Sequence, residues 1–179
     1  AILAHPSGSH LFGTDYAGRD VLSRLLMGGR FSIVIGLCSA FIALFFGAII
    51  GSIAAVVRRS LSEVIMRIMD IIMAVPGIAM AAVMVLVFSG IFKDGNRVGL
   101  VAVIIVAISF VYTPQLARIV RANVMAAYGE DYVRAVIVSG ARAPWILVKH
   151  VIRNTAAPVL VFATVLVADA IILEASLTF

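Results

Sequence analysis

Four long apolar stretches dominate the pattern of hydrophobic and polar positions along this sequence. Each is about the length, roughly 20 residues as a helix, needed to cross the hydrocarbon core of a bilayer. Because lipid offers the backbone no hydrogen-bond partners, such stretches form α-helices, and their unbroken apolar character differs from the alternation of β-barrel strands. The predicted spans are residues 31–57, 64–92, 98–116 and 158–179. The pattern predicts an all-α membrane protein, a polytopic transmembrane helix bundle, with residues 1–179 in one domain.

The charged residues between the predicted spans indicate their orientation. Basic residues are frequent between the first and second spans and between the third and fourth, whereas the segment between the second and third carries only Lys93, Asp94 and Arg97. Lys and Arg are enriched in cytoplasmic loops. The cytoplasmic side is therefore predicted for the first connection and for residues 117–157. The outer side is predicted for residues 1–30 and 91–99.

Two local patterns predict how the spans pack. Small residues recur along the first span at three- or four-residue steps, which places them on one helical face suited to close packing. They are Gly36, Ala40, Ala43, Gly47, Gly51 and Ala54. A chance pattern in a Gly- and Ala-rich run is the alternative. Pro76-Gly77 predicts a kink in the second span, which either lines a polar cavity or serves packing alone.

Composition excludes a water-soluble fold. The chain has 179 residues, is 63% hydrophobic and only 13% charged, and has a mean hydropathy of +1.16. Soluble domains are about 45–50% apolar, so lipid must cover much of this surface. The net charge of +5 follows from basic residues between the spans, so membrane orientation explains it better than a nucleic-acid partner does. The single cysteine, Cys38, is predicted to be a small core residue.

Residues 117–157 are too polar to span the membrane and too apolar for a flexible linker. Glu130 and Asp131 precede a partly apolar run, Gly140 follows it, and Pro144 begins a second run. Acids suit a first helical turn, glycine a helix end, and proline a first helical position. The segment is predicted to be a short helix, a glycine turn, and a second helix leading into the fourth span. It is either a docking element for a protein partner or an amphipathic helix on the lipid surface.

A family resemblance favours docking. The stretch DYVRAVIVSGA at residues 131–141, followed by Ile146, Lys149-His150-Val151 and Asn154, resembles the EAA loop of ABC importer permeases. Residues 10–30 (HLFGTDYAGRDVLSRLLMGGR), 64–76 (VIMRIMDIIMAVP) and 172–179 (ILEASLTF) are similar to the dipeptide, oligopeptide and nickel branch of that family. The four blocks occur in the family's order and cover nearly the whole chain.

The resemblance implies a type I ABC importer permease fold in the inner membrane of a prokaryote, crossing it several times. It implies a cytoplasmic coupling loop at residues 117–157 that docks on ABC ATPase subunits, which bind the ATP. The implied coupling residues are Tyr132, Arg134, Ala135, Val136, Gly140 and Ala141. It further implies a second homologous permease subunit, an extracytoplasmic solute-binding protein, and a peptide or related small solute. We also expect one span before Ala1 and at least one after Phe179.

The sequence lacks the motifs of several common active sites. It contains no GxxxxGK[ST] phosphate loop, no GxSxG elbow and no HExxH helix, and its three histidines are far apart. We therefore expect no catalytic, cofactor or metal site and no enzymatic activity. Pro76, Asp169 and Glu174 are the candidate residues of a solute path, because a kink and intramembrane acids are candidates by default. Structural hydrogen bonding is the alternative for Glu174.

Two other functions are weighed against the importer. An intramembrane aspartyl protease would need two acids at one depth, drawn from Asp70, Asp169 or Glu174. Asp70 and Glu174 are predicted near opposite membrane faces, and Asp70 is spaced to pair with Arg67. A passive channel explains the spans but gives no role to residues 117–157.

Overall fold

The computed structural model describes residues 3–8, 10–90, 97–141 and 143–178. The outward loop predicted around Asp94 and both chain ends lie outside these ranges. The described part is helical from Val21 onward, with two isolated bridges in the segment before it. The helices are α1 (Val21–Val56), α2 (Arg59–Met73), α3 (Gly77–Ser89), α4 (Arg97–Tyr128), α5 (Asp131–Val138), α6 (Ala143–Ile146), a π-helix (Leu147–Val151) and α7 (Ile152–Thr178).

The apolar helices agree with the predicted membrane bundle. Three of them, α1, α4 and the continuous π-helix–α7 segment, are long and apolar enough to cross a bilayer. The second predicted span is formed by α2 and α3, which meet at a bend of 82°. The break falls at Pro76, which precedes the first residue of α3, so the kink predicted at Pro76-Gly77 is confirmed.

The fourth helix extends beyond its predicted span. Residues 117–128 continue α4 instead of starting the cytoplasmic loop. The helix continues because Ala117, Val120 and Val124 remain buried, which gives it an apolar face past the predicted boundary. At the other end of the bundle, α1 begins at Val21, ahead of its predicted span, because Asp20 caps it. Its carboxylate accepts a hydrogen bond from the Ser23 backbone N–H at 2.8 Å.

The predicted small-residue stripe forms the seam of the bundle. All six of its members are buried on one side of α1. A Cβ atom at Gly47 would lie 2.5 Å from the Leu116 Cβ, and one at Gly51 would lie 2.4 Å from the Ala117 carbonyl oxygen of α4. The backbones of α1 and α4 therefore approach as closely as glycine permits. Cys38 is exposed and outside this seam, so its prediction as a core residue is wrong.

Candidate coupling site at the inner end of the bundle

The turn that ends α5 is a complete Schellman motif. Gly140 has a φ of +85°, a left-handed conformation that favours glycine. Its N–H donates to the Ile137 carbonyl at 3.0 Å, and the Ala141 N–H donates to the Val136 carbonyl at 3.4 Å. These two bonds satisfy carbonyls that the helix end would otherwise leave without partners. The short helix, glycine turn and following helix predicted from the sequence are therefore confirmed.

A single buried side chain anchors α5 to the bundle. Val133 is 0% exposed and packs in a cluster with residues of α4, α6 and the π-helix. Apolar side chains elsewhere on α5 are uncovered: Val138 is 87% and Ile137 is 46% exposed. An eight-residue helix that buries one valine and exposes others presents an apolar surface suited to a protein partner.

The predicted coupling residues fall into two groups. Tyr132, Arg134, Ala135 and Gly140 are exposed, whereas Val136 and Ala141 are half-buried against the Val133 cluster. The first four can contact another protein directly. Val136 and Ala141 hold the turn against the bundle, so they can affect docking by fixing the position of α5.

A π-helix that the sequence pattern does not predict follows the turn and α6. Leu147–Val151 adopts this wider helix between α6 and α7. The Lys149 Nζ lies 4.6 Å from the centroid of the Trp145 ring, and the centroid of the His150 ring lies 5.1 Å from it. The His150 Nε2 is buried with no hydrogen-bond partner among the described residues. No sequence signal marks the extra residue of a π-turn inside an apolar run.

The acid predicted to pair within α2 pairs between helices instead. The Arg118 guanidinium of α4 donates to the Asp70 carboxylate, while Arg67 is exposed one turn away. Nearer the start of α2, the Arg121 Nε donates to the Ser62 Oγ at 3.0 Å. The i, i+3 spacing allows Asp70 to pair with Arg67, but Asp70 pairs with Arg118 instead, a partner on another helix that sequence spacing does not reveal.

The candidate path residues lie on two elements. Pro76 is exposed at the α2–α3 bend, beside a cavity of about 150 Å³ that Gly77, Tyr112 and Gln115 help to line. Asp169 is half-exposed on α7, within electrostatic range of Tyr112, whereas Glu174 is 7% exposed and buried in the bundle. Within the described ranges, no group of three acidic, histidine or cysteine residues is arranged to hold a metal ion.

A family model and several curated proteins match this chain, and their names agree in describing transport-system membrane components. Residues 43–179 match the family model described as binding-protein-dependent transport system inner membrane component. A putative peptide transport system permease protein of Brucella suis is 39% identical over 177 residues, covering 97% of this chain and 55% of the relative. The oligopeptide transport system permease protein OppC of Bacillus subtilis is 37% identical over 175 residues, covering 97% and 54%.

A relative named for a different solute is similar over the same extent. The glutathione transport system permease protein GsiD of Pectobacterium atrosepticum is 33% identical over 175 residues, covering 97% of this chain and 55% of the relative. The chain therefore spans about half the length of the curated relatives it matches.

Proposed function

Since this chain belongs to the family of binding-protein-dependent transport system inner membrane components, we propose that it forms part of the permease subunit of an ATP-driven importer. Membership makes it an inner-membrane protein, in agreement with its three long apolar helices and one bent pair. In this function the bundle forms half of a solute path, with a second homologous permease subunit forming the other half. The family description itself supports delivery of solute by an extracytoplasmic binding protein.

The observation that carries the proposal is the exposed helix α5 with its glycine turn. Its apolar side chains, which include Ile137 and Val138, form an exposed apolar surface that a protein partner could bury. We propose that ABC ATPase subunits receive this helix, with Tyr132, Arg134, Ala135 and Gly140 at the contact. ATP is bound by those subunits.

The position of α5 in the chain explains how work would pass into the membrane. It directly follows α4, a single helix of 32 residues, and it precedes the continuous π-helix–α7 segment. A displacement of α5 therefore moves two membrane-crossing helices together. The energy enters as a preference of the ATPases, in their ATP-bound state, for one arrangement of the bundle over the other.

The solute class follows from the relatives. The similar permeases are named for peptide, oligopeptide and glutathione transport, so we propose a peptide or a related small solute.

The test is recovery of the ATPase with the intact permease. Ala135→Glu places a charge on an exposed position of α5, where the change leaves the fold intact but opposes an apolar contact. We expect ATPase recovery on purification in detergent to fall by about tenfold. This is the factor that corresponds to a cost of about 1.4 kcal/mol for burying the unpaired charge in the contact.

Ser60→Glu is the matched control, since Ser60 is also exposed on the cytoplasmic side but lies in α2. Its ATPase recovery should equal that of the unmodified permease. Equal recovery with Ala135→Glu would contradict docking through α5.

A further inference from the structure

An ion pair joins α2 to α4 on the surface of the bundle. The Arg118 guanidinium donates to the Asp70 carboxylate, and the two side chains are 53% and 56% exposed. The contact between Arg121 and Ser62 lies nearer the start of α2, and Ser62 is 3% exposed. The α2–α4 contact is thus buried at Ser62, whereas the Asp70 and Arg118 side chains are exposed on the surface of the bundle.

The ion pair lies at the border of the uncharged stretches of α2–α3 and α4. Asp70 is the last charged residue before an uncharged stretch that runs to residue 92, and Arg118 is the first charged residue after the uncharged residues 98–117. Charged side chains that border such apolar stretches face water, a water-filled cavity or polar protein, because hydrocarbon does not solvate them.

Neighbouring polar groups share this face. Gln115 lies one turn before Arg118 on α4, and with Tyr112 it lines the cavity of about 150 Å³ beside the α2–α3 bend. The groove on another side of the bundle, between α1 and α7, is lined mainly by apolar residues such as Leu37, Phe41 and Leu160. That groove suits lipid or an apolar helix, whereas Tyr112 and Gln115 add polar groups to the otherwise apolar lining of the cavity on the α2–α4 face.

We propose that the α2–α4 face lines the solute path and that the Asp70–Arg118 ion pair closes the path toward the cytoplasm. This inference rests on the importer function proposed above. The ion pair holds α2 against α4. Because α5 follows α4, movement of α5 by the ATPases separates the two charges and releases α2. Attraction between the charges favours the closed arrangement while the ATPases are idle, since screening is weaker in a narrow cavity than in bulk water.

The first test measures basal ATP hydrolysis by the intact permease–ATPase complex in liposomes without solute. Asp70→Asn and Arg118→Gln each remove the attraction, so the closed state should no longer restrain the ATPases. We expect a rise of about fivefold, the factor equivalent to about 1 kcal/mol, the upper value for an exposed ion pair. The reversed pair, Asp70→Arg with Arg118→Asp, should return hydrolysis to near the original rate.

Glu63→Gln is the matched control, because it breaks an ion pair within α2 alone. The Arg59 Nε lies 3.0 Å from the Glu63 carboxylate, and the side chains are 94% and 63% exposed. Basal hydrolysis should not change. Unchanged hydrolysis in Asp70→Asn, or a reversed pair as active as the single variants, would overturn the closure.

The second test asks whether this face meets water. Gln115→Cys and Phe41→Cys are made separately in a cysteine-free background that includes Cys38→Ala, and are exposed to a membrane-impermeant methanethiosulfonate in detergent-free liposomes. We expect labelling at position 115, at a rate that changes when ATP and vanadate trap the ATPases, and little labelling at position 41. Equal labelling at the two positions would overturn the assignment of the path face.

The two proposals fail in different ways. If the ATPase does not co-purify with the unmodified permease, the importer function itself fails. If the ATPase co-purifies and depends on Ala135, but Asp70 and Gln115 behave as their controls do, only the path and its closure are wrong.

Discussion

Adding one methyl group at Gly51 should separate α1 from α4. The Cβ of an alanine there would lie 2.4 Å from the Ala117 carbonyl oxygen, 2.8 Å from the Val120 Cβ and 3.0 Å from the Arg121 N. Ordinary contacts begin near 3.4 Å, and two of these three atoms belong to the α4 backbone, so no side-chain rotation relieves the clash. The helices must move apart by about 1 Å, and overpacking of this kind costs about 1–3 kcal/mol.

The same helix provides two comparisons. A Cβ atom at Gly36 would meet the Ile171 Cγ1 at 2.7 Å and the Val167 carbonyl oxygen at 3.2 Å. The nearest atom belongs to a side chain that can rotate, and the nearest backbone atom is farther away than at Gly51, so Gly36→Ala should cost less than Gly51→Ala. At Gly28 nothing lies within 4 Å. Since alanine is a better helix former than glycine by about 1 kcal/mol, Gly28→Ala should leave the stability unchanged or raise it by up to that amount.

The assay is equilibrium unfolding of the intact permease in mixed micelles, where the free energy of unfolding is compared among the three variants. The expected order of stability is Gly28→Ala, then Gly36→Ala, then Gly51→Ala, with about 3 kcal/mol between the first and the last. If Gly51→Ala is as stable as Gly28→Ala, α1 and α4 do not pack in close contact at Gly51.

Three further predictions concern α5 and the outer end of α1. Val133→Ala should destabilise the protein by about 2 kcal/mol in thermal unfolding, because Val133 is 0% exposed. Val138→Asp changes an 87% exposed position, so it should reduce ATPase recovery without changing stability. Gly140→Ala should cost about 1 kcal/mol of stability and weaken ATPase recovery through its φ of +85° alone, and Gly140→Asn should retain more of both, since asparagine tolerates this conformation. Hydrogen bonds from the Ser23 side-chain hydroxyl and backbone N–H lower the pKa of Asp20 from its ordinary 3.8. The cap therefore stabilises α1 fully above pH 3.8, and this stabilisation is lost as the pH falls through the lowered pKa. Amide NMR signals of the first turn of α1 should report the loss, and Asp20→Ser should remove the pH dependence.

The apolar pattern predicted the helices because length and hydropathy alone decide what can cross a bilayer. The seam was also predictable, since the spacing of Gly47 and Gly51 reports a face of α1 whatever lies opposite. The break at Pro76 was predictable for the same reason, as proline cannot complete the local hydrogen bonds. These features depend on residues near one another in the sequence.

The features that were missed depend on distant partners. Asp70 pairs with Arg118 rather than Arg67 because packing of α2 on α4 brings the two together, and spacing along one helix contains no such information. The continuation of α4 past Leu116 depends on burial of Val120 and Val124 by other helices. Of the candidate site, the short helix and its turn were predictable, whereas the exposure of Ala135 and the burial of Val133 required the structure.

Trp145 lies in α6, next to α5, and provides an intrinsic fluorescence signal at this end of the bundle. Trp145 is the single tryptophan among these 179 residues and is 47% exposed, with His150 and Lys149 against its ring. A protein surface that covers the indole excludes water from it and shifts its emission to shorter wavelength. Arrival of a partner at this end of the bundle can therefore be followed through an intrinsic spectroscopic signal, without a dye attached to the chain.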